Sequence, residues 1–95
     1  MNPTEEAKLR NDAIRGERAQ QILDNELFKE AIGLLKDGCL RELIAVPMVG
    51  IYPGQAEKLR MAAQLKLKLV EELVNVFAKT AESGRFAVWD LNARR

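Results

Sequence analysis

The sequence predicts an all-α protein: an antiparallel helical hairpin with a long third helix, preceded by an N-terminal helix and followed by a short C-terminal tail. Three observations predict it. Prolines stand only at Pro3, Pro47 and Pro53, where helices begin or end. Between them Ala, Leu, Glu, Lys, Arg and Gln dominate, all strong helix formers. Apolar residues recur at steps of three and four, the spacing of one helical face.

The first helix starts after Thr4, read as its N-cap, with Glu5 and Glu6 suiting the positive end of the helix dipole. It runs through Gly16 to about Leu23 with thin apolar content. Asp24 is the expected cap of the second helix, which has Glu26 in its first turn. Phe28, Ile32, Leu35, Cys39, Leu43 and Val46 then form one stripe. The stripe stays in phase across Gly38, which favours a continuous helix to about Val46; a break at Asp37 and Gly38 is the alternative. Pro47 ends the segment, and residues 47–54, PMVGIYPG, read as a turn. The third helix runs from there to about Ser83, with Gly84 as its C-cap, which at 1.5 Å per residue makes it about 45 Å long. The tail, RFAVWDLNARR, is open between strand, turn and docking arm. The whole reads as one small domain over residues 1–95, with an N-terminal helix at 1–23, the hairpin at 24–83 and the tail at 84–95.

Composition excludes several classes. Ninety-five residues with 47% apolar content and a net charge of +1 make one ordered domain, able to bury roughly 65% of its unfolded surface. No stretch is apolar enough to span a membrane, and MNPTEEAKLR is not a secretory leader, so no membrane partner is expected. Histidine is absent and Cys39 is the single cysteine. Structural zinc and Glu-x-x-His di-iron sites therefore lack ligands, and no metal or cofactor is expected. Glu26 and Glu30 share a helix face, but Lys29 beside them marks a solvated pair. Ser83, the only serine, has no histidine base and sits where a helix end explains it. Cys39 lies in an apolar stripe as an inert thiol. GIYPGQAEK has glycines and a lysine without phosphate-loop spacing. The expectation is a non-enzymatic, cytosolic protein.

The third helix carries the most information. On a wheel, its apolar residues, including Leu65, Leu69, Leu73, Val76 and Phe77, cover an arc of about 200°, roughly twice what one partner helix needs. Either a compact three-helix monomer covers the excess, or a second subunit does; the first helix is poor in apolar residues, which favours self-association. The opposite face mixes Glu57, Glu71, Glu72 and Glu82 with Arg60, Lys68 and Lys79, not the single sign that phosphate binding requires. Lys68 and Glu72 form an i,i+4 pair. Glu42 and Lys58 fall within or beside the apolar arcs and are expected to pair across the hairpin, or else to reach out to water. Lys66 lies deeper in the arc, with contact to another subunit as one explanation.

Nucleic-acid signals are sparse. Residues 49–95 carry eight bases against five acids, and residues 1–48 seven against nine. Arg85, Arg94 and Arg95 are the candidate phosphate contacts. Trp89 and Phe86 are candidate anchors for a partner groove, with packing onto the chain's own helices as the alternative.

Residues 15–32, RGERAQQILDNELFKEAI, resemble a group of small helical proteins from the packaging and head-assembly region of tailed-phage genomes, on Arg15, Gly16, Ala19, Leu23, Asn25, Leu27, Phe28, Glu30 and Ala31. EKLRMAAQLKLKLVEEL and the later ESGR are similar to that group's long helix and its glycine end. About half the chain is covered, and PMVGIYPG is not matched. The resemblance implies a non-enzymatic homo-oligomer in the host cytoplasm or associated with the virion. Its role there would be small-terminase-like DNA packaging or head assembly, with DNA or another phage packaging or structural protein as partner. It assigns no functional residue. The competing expectation is a small helical adaptor that holds a protein partner in an apolar groove.

Overall fold

The computed structural model describes residues 2–49 and 54–94, with the side chains of 46–49 left aside. Three helices account for them: α1, Pro3–Asp24; α2, Glu26–Val49; and α3, Gln55–Ala93. The all-α expectation holds, as do the hairpin, the long third helix and the continuity of α2 across Gly38. Packing divides the chain into two compact units, Met1–Phe28 with Val74–Arg95, and Lys29–Leu73.

The helix ends differ from expectation for local reasons. Asn2, not Thr4, caps α1: its Oδ1 accepts from the Glu5 amide at 2.8 Å, and its carbonyl takes the Glu6 amide at 3.1 Å. Pro3 decides this, because its fixed φ and missing N–H suit the first helical position and force the cap to the residue before it. Asn25, not Asp24, caps α2. Asp24 stays helical and accepts from Gln20 Nε2 at 3.0 Å, while Asn25 turns extended, donates its amide to the Ile22 carbonyl and accepts the Phe28 amide on Oδ1 at 3.0 Å. One residue thus closes one helix and opens the next.

Pro47 does not end α2, which continues to Val49. A proline deletes one backbone hydrogen bond, and in the last turn little else depends on that bond. Of the expected turn at 47–54, residues 50–53 lie outside the described residues. Gly54 has φ +85°, a left-handed conformation that a side chain resists, and its carbonyl accepts the Lys58 amide to start α3.

Gly84 is not a C-cap, and the expected tail is helix to Ala93. The reason is tertiary. In the unit formed by α1 and the C-terminal part of α3, the helices run antiparallel, with Glu5 meeting Arg94, Gly16 meeting Gly84 and Phe28 meeting Phe77. A Cβ built on Gly84 would lie 2.5 Å from Gly16 Cα and 3.1 Å from the Asp12 carbonyl oxygen, both of them backbone atoms. The glycines therefore let two backbones touch. Ala19, Ala81 and Ala87 fill the rest of the buried seam, with Leu9, Leu23, Val74 and Leu91 half-buried beside it.

The second unit pairs α2 with the first half of α3 around buried Cys39 and Ala63, and Ile32, Leu43, Leu67 and Val70 are half-buried. Its register corrects another expectation: Glu42 pairs with Lys66, at 3.2 Å, and not with Lys58. The midpoint of that pair is Gly54, whereas a Glu42–Lys58 pair would centre the hairpin at position 50. Extension of α2 beyond Pro47 moves the pivot.

Across the described residues every buried apolar side chain is Ala or Cys, and no large side chain is fully buried. Glycine substitutions separate close approach from mere helical glycine. Gly16→Ala and Gly84→Ala should each destabilise by about 2 kcal/mol, a Tm loss of roughly 8–16 °C, because forced backbone separation outweighs the gain in helix propensity. Gly33→Ala and Gly38→Ala, whose added methyls meet nothing within 4 Å, should stabilise by up to about 1 kcal/mol. Thermal denaturation of the four variants checks both signs.

Candidate self-association surface

A seam of glycine and alanine leaves the large apolar residues outside it. On α3, Leu65, Leu69 (64% exposed), Leu73 and Val76 follow one another at steps of four and three and are open to solvent. These are four of the residues expected at an oligomer or partner interface. Phe77 does not join them. It is half-buried and meets Phe28 edge to face, with centroids 5.6 Å apart at 82°, which assigns it to the internal seam of its unit. Trp89 (68% exposed) and Phe86 (66% exposed) stand out from the C-terminal turns of α3, so the alternative that they pack onto the chain's own helices does not describe the structure.

The second helix contributes a surface that its single sequence stripe did not show. Leu27, Leu34, Leu40 and Ile44 are exposed, and Leu35, expected inside the stripe, is 52% exposed. Leu34, Leu35, Leu69 and Val70 line a groove of about 400 Å³ between α2 and α3, with Gly38 and Cys39 at its floor and the Glu42–Lys66 pair at its edge. A count of apolar residues off the main face of α2, the step that exposed the over-wide arc of α3, was the signal that could have found it.

Two of the three arginines expected to contact phosphate make contacts within the chain. Arg85 Nη1 donates to Gln20 Oε1 at 3.3 Å. Arg94 donates from Nε to Asp90 Oδ1 at 3.0 Å and from Nη1 to Glu5 Oε2 at 3.4 Å, so its charge is spent on two carboxylates. Arg95 lies outside the described residues. Among the described residues no three acidic or cysteine side chains gather as a metal site, and no helix is long and apolar enough to cross a membrane.

Comparison with family models, curated proteins and solved structures returns no match.

The Glu42–Lys66 pair, with both side chains more than half exposed, should contribute little. A double-mutant cycle of Glu42→Gln with Lys66→Met should give a coupling of about 0.2–1 kcal/mol that shrinks as salt rises, and the same cycle with Lys58→Met should give none.

Proposed function

We propose that this chain is a non-enzymatic structural subunit that works as a homo-oligomer in the DNA packaging or head assembly of a tailed phage, within the host cytoplasm. The single observation that supports the oligomer most strongly is the inverted distribution of apolar side chains, small ones buried and large ones exposed. Burying a side chain such as Leu69 or Trp89 against another subunit gains about 1.5–3 kcal/mol each, and monomers rarely leave so many uncovered. The phage role rests on the resemblance at residues 15–32 and along the long helix. Between its two forms, the ion-paired Arg94 and the mixed charges on α3 favour head assembly over direct DNA handling.

The groove of Leu34, Leu35, Leu69 and Val70 supports one alternative, an adaptor that holds a single helix of another protein. Gel retardation of linear duplex DNA at about 50 and about 200 mM salt, with the oligomer purified beforehand, separates the roles. The head-assembly form expects no retardation at either salt. Retardation that falls steeply with salt moves the role to packaging. A chain that stays monomeric and binds one helical peptide at a one-to-one ratio overturns the oligomer in favour of the adaptor.

A further inference from the structure

We draw no further inference here: the strongest candidate, the aliphatic groove of Leu34, Leu35, Leu69 and Val70 between α2 and the first half of α3, is an unpartnered apolar face, and nothing in the structure shows what covers it.

Discussion

The contact of Gly16 with Gly84 is the constraint on which the rest depends. Two helix backbones meet there without intervening side chains, and interaxial distance is set by the side chains at the contact. Once α1 and late α3 are held that close, only Ala19, Ala81 and Ala87 fit the seam beside the glycines. Leu, Val and aromatic residues are then displaced to the flanks and the outer face. The unit of α2 and early α3 repeats the pattern with Cys39 and Ala63 at its centre. Close packing of small residues gains contact density but removes little apolar area from water.

That imbalance links the fold to its proposed use. A chain whose seam holds mainly glycine and alanine has little internal burial with which to offset the cost of ordering its backbone. The same chain carries, on its outside, the side chains that would supply a conventional core. Leu65, Leu69, Leu73 and Val76 on one helix, with Leu34 and Ile44 on another, are exposed, and under the proposed function a second copy covers them. On this view folding and assembly draw on one pool of apolar surface, and stability depends on protein concentration.

Much of the fold was legible in the sequence. Stripes at steps of three and four located the helices, and the phase across Gly38 showed that α2 is continuous. Burial of Cys39 followed from its place in a stripe; it is 6% exposed. The misread positions share a cause: one residue type serves two physical purposes. Glycine ends helices and also admits close backbones, so Gly84 passed for a cap while its partner Gly16 lay 68 positions away in sequence. Asp and Asn are equal as caps, and only the extended backbone at Asn25 separates it from Asp24. Glu42 took Lys66 because the pivot depends on how far α2 runs past Pro47. The outer surface was half legible: the arc of α3 was too wide for one partner, but the wheel did not divide inward Phe77 from outward Val76. The groove needed the pairing of Leu34 and Leu35 with Leu69 and Val70, which no single helix displays.

The central claim is that the large exposed apolar residues are covered by further copies of the chain. Its most direct measurement is the absolute molar mass in solution, by light scattering after size exclusion, at low and high salt. The account expects a defined species of several times 10.7 kDa that persists at high salt, because apolar contacts are not screened. A single species at the mass of one chain, at every concentration and salt, would contradict it.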